Sequence, residues 1–201
     1  MKALTIPTHA PPPLVPPLVV GIDPSLTGTG IASTNGWVEV HGYKRARAKD
    51  PGITQLPHSE RVRAMRQLAH QVLESVHLPD LAVMELPAVS RSGGGAHERG
   101  WFWWHLYSEL TRYEVPVALM APNARALYAT GKGNAPKGAV IDAVARRFPT
   151  WNTDGNDNAA DAVTLMAAGT DWLGHPITPM PQTHRAALAK AIWPNTLGDP
   201  S

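Results

Sequence analysis

Cysteine is absent from the 201-residue chain. A disulfide framework, a thiolate zinc site and a cysteine nucleophile are thereby excluded, and a reducing cytoplasmic setting is expected. No apolar run approaches the roughly 18 residues that a membrane span requires, and the first residues carry one lysine and then prolines where a secretory signal would have an apolar core. A soluble, unprocessed protein with no membrane partner is the expectation. An excess of charge is missing too. The chain has 18 Lys+Arg against 16 Asp+Glu, a formal net charge of +2 and a pI near 9.0, so a polyanion would have to be held by local basic clusters. What remains, 43% hydrophobic and 17% charged residues, suits one globular domain with tails.

Residues 1–17 hold prolines at 7, 11, 12, 13, 16 and 17, a composition that favours extended polyproline conformations and predicts a disordered arm. The domain proper is expected over 18–174. A proline-rich tail follows over 175–201, with a short peripheral helix within Thr183 to Ile192. Inside the domain, Leu18 to Asp23 is an apolar β-branched run, as in a central strand buried on both faces. Thr27 to Thr34, the hairpin signal Asn35-Gly36 and Trp37 to Tyr43 complete a meander. Ser59 to Val76 repeats apolar residues at helical spacing (Val62, Met65, Leu68, Val72, Val76), and Pro79 stops it. Strands at Asp80 to Leu86 and Val115 to Ala121 flank a helix near Trp101 to Tyr113, and two more helices run over Pro136 to Phe148 and Asp157 to Ala168. The order βββαβαβαα points to an α/β domain with a mixed five-stranded sheet.

Two of these strands end in an acid, Asp23 and Glu85, close to where open α/β sheets bind ligands. Glu85 has no cation near it in sequence, and a buried acid without a partner or a metal is costly. In Asn156-Asp157-Asn158-Ala159-Ala160-Asp161, the acids Asp157 and Asp161 are four apart and share a helix face. Taken singly, Asp23 could be a turn residue and Asp157 a helix N-cap. Taken together, hard oxygen donors without sulfur suit Mg²⁺ or Mn²⁺. The nine histidines lack the close spacing of a zinc site.

Gly-Ile-Asp23-x-x-x-Thr27-Gly28 also resembles the phosphate-binding hairpin of the actin and sugar-kinase ATPases. Those proteins need two such domains and at least twice this length, and no second adenosine motif is present. The ordered set Gly21-Ile22-Asp23-Pro24-Ser25-Leu26-Thr27-Gly28-Thr29-Gly30, Val83-Met84-Glu85, Thr130-Gly131-Lys132-Gly133-Asn134-Ala135-Pro136-Lys137 and Asp157-Asn158-Ala159-Ala160-Asp161-Ala162 resembles the RuvC family of Holliday-junction resolvases, particularly its short bacteriophage members. It covers roughly Val19 to Ala168. The resemblance implies an RNase H-like fold and a homodimeric endonuclease that cuts four-way or other branched DNA in the host cytoplasm. It makes Asp23, Glu85 and Asp161 ligands of two Mg²⁺ ions per active site, with Mn²⁺ as a substitute. The family's fourth ligand falls at Asn158, one place after Asp157; a carboxylate is the better Mg²⁺ ligand, which favours Asp157. Lys137 matches a lysine near the scissile phosphate, with Lys132 as a helper. A second basic position that the family places before Thr130-Gly131 is occupied by Ala126 and Leu127, and Arg125 is the nearest cation. An inactive junction-binding protein, or an RNase H-like nuclease acting on flaps or RNA, are the alternatives.

Candidate phosphate contacts are Arg45 and Arg47 between Lys44 and Lys49, Arg61, Arg63 and Arg66, and Arg91 and Arg99. The last two lie in Ser90 to Gly100, whose Gly93-Gly94-Gly95 suggests a mobile substrate loop. Trp101-Phe102-Trp103-Trp104-His105-Leu106-Tyr107 concentrates aromatics in a chain with only 7 Trp, 4 Tyr and 2 Phe. On a helix these side chains point all round, so one face fills the core and another meets a partner or DNA.

Overall fold

The computed structural model describes residues 16–87 and 95–195. Most of the proline-rich arm, Arg91 and the first two of the three consecutive glycines lie outside them. Strands β1 (Val19–Asp23), β2 (Thr29–Ser33) and β3 (Trp37–His41) form the expected meander, followed by helix α1 (His58–Val76), strand β4 (Leu81–Glu85), helix α2 (Ala96–Arg112) and strand β5 (Val117–Met120). Helices α3 (Pro122–Thr130), α4 (Lys137–Arg147), α5 (Asp157–Trp172) and the short α6 (Gln182–Arg185) close the chain. The sheet order is β3-β2-β1-β4-β5. β1 pairs antiparallel with β2 and parallel with β4, and β4 pairs parallel with β5. This is the mixed five-stranded sheet flanked by helices that the sequence predicts, with α3 as one helix more than its pattern.

Both faces of the central strands are covered, which is why they read as unbroken apolar runs. Val19, Ala32, Leu81, Val83, Ala118 and Met120 face the layer of α3, α4 and α5. Their neighbours Val20, Ile22, Ile31, Ala82 and Met84 face α1 and α2. The period of two carries on to the strand ends: Asp23 follows Val19 and Gly21, and Glu85 follows Leu81 and Val83, so both acids belong to the α3–α5 face.

Helix α5 crosses that face at short range and is buried along nearly its whole length. Two motif glycines make this possible. A β-carbon at Gly21 would stand 2.1 Å from the carbonyl oxygen of Ala162, and one at Gly30 would stand 2.0 Å from that of Asn158. These glycines therefore admit the backbone of α5. Asn156, not Asp157, caps α5: its Oδ1 accepts from the amide of Ala159 at 3.0 Å, which leaves the Asp157 carboxylate for other contacts.

Four further local expectations change. Helix α2 starts at Ala96, so Arg99 sits on its first turn, and residues 90–94 of the expected substrate loop lie outside the described ones. Gly95, at φ 85°, caps the helix in the left-handed region that glycine tolerates, and Glu98 in the first turn suits the helix dipole. Arg61 is engaged within the fold: it bonds Glu98 and donates twice to the carbonyl of Leu56. Val62 is 40% exposed and lies off the packed face of α1. The C-terminal segment expected to be peripheral is docked. His184 is buried with its Nδ1 2.8 Å from the carbonyl of Tyr128, Arg185 donates to buried Asp171 at 3.0 Å, and Leu119 and Ile192 exchange backbone hydrogen bonds at the β5 edge.

Candidate active site

Asp23 and Glu85 end neighbouring parallel strands whose register pairs Ile22 with Met84, so the two carboxylates emerge side by side. The segment after Asp23 is braced by Thr29, whose hydroxyl donates to the carbonyl of Ser25 at 2.6 Å and accepts from the Ser25 amide at 3.1 Å. The end of β4 is held from the opposite layer: the indole N–H of Trp103 donates to the carbonyl of Glu85 at 2.8 Å. The aromatic run on α2 thus divides its labour. Phe102 and Trp103 are buried in the core, whereas Trp104 is 65% exposed.

The first turns of α5 complete the cluster. Asp161 is buried, and one turn earlier Asp157 stands at the rim, bonded to Lys137 at the start of α4. Asn158 turns toward the first hairpin, where its amide nitrogen would be 2.6 Å from a β-carbon on Gly28.

A residue absent from the predicted site set occupies the middle. Arg125, on α3, donates from Nε to Glu85 Oε2 and from Nη1 to Asp161 Oδ1, with its side chain 12% exposed. The fork of a guanidinium is shaped for two acceptors at once. Helix α3 itself was legible in sequence, because Pro122 stands at its first position and Gly131, at φ 78°, just past its end.

The electrostatics describe a cation-seeking pocket. Burial first, then the charges of Glu85 and Asp161, push the Asp23 carboxyl up to about 8, with Arg125 acting in the opposite sense. Burial also raises Asp161, to about 6, and Glu85, and in both cases Arg125 is the main opposing influence. Asp157 differs. Its hydrogen bond with Lys137 holds it below the ordinary carboxylate range, and that bond raises Lys137 in turn.

Among the described residues no three Asp, Glu, His or Cys side chains stand as a ready metal-ligand set. Arg125 lies between Glu85 and Asp161. The donor chemistry nonetheless fits a hard divalent cation, since three oxygen-only groups share one buried pocket in which full ionisation needs positive charge. Of the other predicted residues, Arg91 lies outside the described ones and the rest come from other segments of the chain. Lys132 is exposed on the α3–α4 loop, Arg45 and Arg47 are exposed on the β3–α1 connection, and Arg99 is exposed at the start of α2.

No family model matches the chain. The crossover junction endodeoxyribonuclease RuvC of Synechococcus sp. (strain RCC307) is 30% identical over 156 residues, which span 73% of this chain and 94% of that protein. The chain belongs to the RuvC family. The RuvC of Prochlorococcus marinus is 28% identical over 160 residues, 76% of this chain and 97% of its own. Two solved structures share the RNase H-like fold. Thermus thermophilus RuvC superposes with a TM-score of 0.53 at 23% identity, over 79% of this chain and 97% of that one. The same protein in complex with a Holliday junction substrate gives 0.55 at 21%, over 88% and 99%. In this RuvC-family chain the acid pocket sits at the ends of β1 and β4, under the first turns of α5.

Proposed function

We propose that this RuvC-family chain is a metal-dependent, structure-selective endonuclease that resolves Holliday junctions or related branched DNA by paired phosphodiester hydrolysis. One observation carries the reading: Asp23, Glu85 and Asp161, from two adjacent strand ends and one helix, face a common buried point that demands positive charge. Asp23, Glu85 and Asp161 would hold Mg²⁺, or Mn²⁺ in its place, with Asp157 as the fourth ligand and two ions per site. Held by these residues, such ions would supply water activation and charge stabilisation for an in-line displacement at phosphorus.

The chain's own residues do the rest. Asp157 points Lys137 across the rim of the pocket, where an ammonium can meet charge developing on the scissile phosphate. Trp103 and Thr29 fix the backbone on either side of the acids, so the carboxylates have little freedom to drift. Lys132, Arg45, Arg47, Arg99 and Arg91 would contact phosphates and position duplex arms without reading sequence.

The reading includes a homodimer, because two symmetric cuts across a two-fold junction need two active sites. Exposed Trp104, in edge contact with Trp103 and Tyr107, offers an apolar surface on α2 for a second copy. Among the described residues no helix is long and apolar enough to cross a membrane.

The test is cleavage of a labelled immobile four-way junction, beside matched duplex and flap substrates at one salt concentration, with and without Mg²⁺. Paired symmetric nicks that require metal, and that vanish in an Asp23→Asn variant still binding the junction, are expected. Tight binding without cleavage in Mg²⁺ or Mn²⁺ overturns the enzymatic reading. Equal cutting of all three substrates overturns the junction selectivity.

A further inference from the structure

The guanidinium of Arg125 lies where the three acids converge. It is bonded to Glu85 on one side and to Asp161 on the other, and Asp23 is near enough to act on its charge. An arginine side chain stays protonated at every accessible pH, so a change of pH cannot remove it from the pocket. Only another cation that satisfies the same oxygens can. The residue stands on the first turn of a nine-residue helix, between buried Ala124 and Ala126, and its side chain is 12% exposed rather than sealed in. None of this would follow for a lysine at the rim such as Lys137, which is bonded to one carboxylate only.

We propose that Arg125 is a built-in counter-ion that competes with the divalent cation for Glu85 and Asp161, so that loading the site is an exchange of guanidinium for metal. The proposal rests on the metal-dependent reading given above and adds a determinant of how much metal the enzyme requires. Two consequences follow from the geometry. Without metal, Arg125 offsets part of the charge of Glu85 and Asp161 from within, and the apparent metal affinity is lower than that of the bare acid set by the fraction of time the guanidinium is out. Arg125 is a positioning residue in this account, acting on the metal through the ligands they share.

The experiment measures Mn²⁺ binding, by paramagnetic resonance of the free ion or by calorimetry, to metal-free wild type, Arg125→Gln, Arg125→Lys and Asp23→Asn at one pH and ionic strength. Melting temperatures are recorded with and without the ion. Arg125→Gln is expected to bind Mn²⁺ at least about ten-fold more tightly than wild type, to melt lower without metal, and to gain more on adding it. Arg125→Lys keeps the charge and loses the fork, and its affinity should fall between the two.

A purely structural ion pair would lower the melting temperature of Arg125→Gln and leave its Mn²⁺ affinity unchanged. That result overturns the proposal. Should Arg125→Gln fail to fold without metal, Arg125→Lys decides alone, and an affinity equal to or weaker than wild type overturns the exchange. If Mn²⁺ binding is lost in Asp23→Asn but insensitive to position 125, the exchange fails and the metal site stands. If wild type and every variant ignore Mn²⁺, both readings fail together.

Discussion

Neutralising Asp23 should make the metal-free protein more stable in base, although it removes a proposed metal ligand. The Asp23 carboxyl is pushed from 3.8 up to about 8, first by burial and then by the charges of Glu85 and Asp161. Between those limits the native state keeps a proton that the unfolded chain has released, so stability falls as pH rises across the window. At about 1.36 kcal/mol per pH unit, full ionisation costs an upper bound of roughly 5–6 kcal/mol. Water entering the pocket and adjustment of Arg125 relieve part of it, and about 2–3 kcal/mol is the expected remainder. Asp23→Asn has no proton to lose at this position. Its melting temperature in EDTA should match wild type near pH 4 and exceed it at pH 8.5 by roughly 4–12 °C, for a chain of this size. Differential scanning calorimetry over that pH range is the assay. Adding Mg²⁺ at pH 8.5 should raise wild type and leave Asp23→Asn nearly unmoved. A variant that melts at or below wild type at pH 8.5, or a difference that does not change with pH, refutes the claim that Asp23 is held uncharged by its surroundings.

Lys137→Ala should lower the single-turnover cleavage rate about 10²–10³-fold, the usual effect of deleting one donor aimed at developing charge. Its junction affinity should change only a few-fold because many phosphate contacts share the binding; equal losses in both would make Lys137 a binding residue only. The glycines give a paired test by chemical denaturation. Gly30→Ala and Gly21→Ala drive a methyl into the backbone of α5 and should lose more than about 3 kcal/mol. Gly100→Ala, on α2 with nothing within 4 Å, should gain about 0.5–1 kcal/mol. A tolerated alanine at Gly30 would mean that the hairpin and α5 are not in contact as described.

Legibility from sequence followed the range of the forces involved. Strands β1 and β4 announce themselves because burial on both faces makes them continuously apolar, and the acid that ends each run is conspicuous for the same reason. Asp157 and Asp161 were legible as a pair because helical spacing is local. Gly30 was legible as a motif glycine but not as a contact, since the atom it makes room for, the carbonyl of Asn158, is far away in the chain. The start of α2 was obscured by three consecutive glycines, although Ala96 and Glu98 behind them are ordinary helix-opening residues. The docking of the C-terminal segment depends on buried Asp171 pairing with Arg185 and Tyr128, a connection across three helices that no local pattern encodes.

Arg125 is the instructive omission, because charge balance could have found it. Three acids converging on one buried point would carry three negative charges if fully ionised, and no fold keeps such a group bare. Reading Asp23, Glu85 and Asp161 as one cluster therefore already implies an internal cation, a raised carboxyl, or both. The protein contains both: Arg125 is bonded to two of the acids, and the third, Asp23, is the one whose carboxyl is pushed to about 8. The acid without a guanidinium bond bears the heaviest burden, and for that reason it is the position where a divalent cation has most to gain.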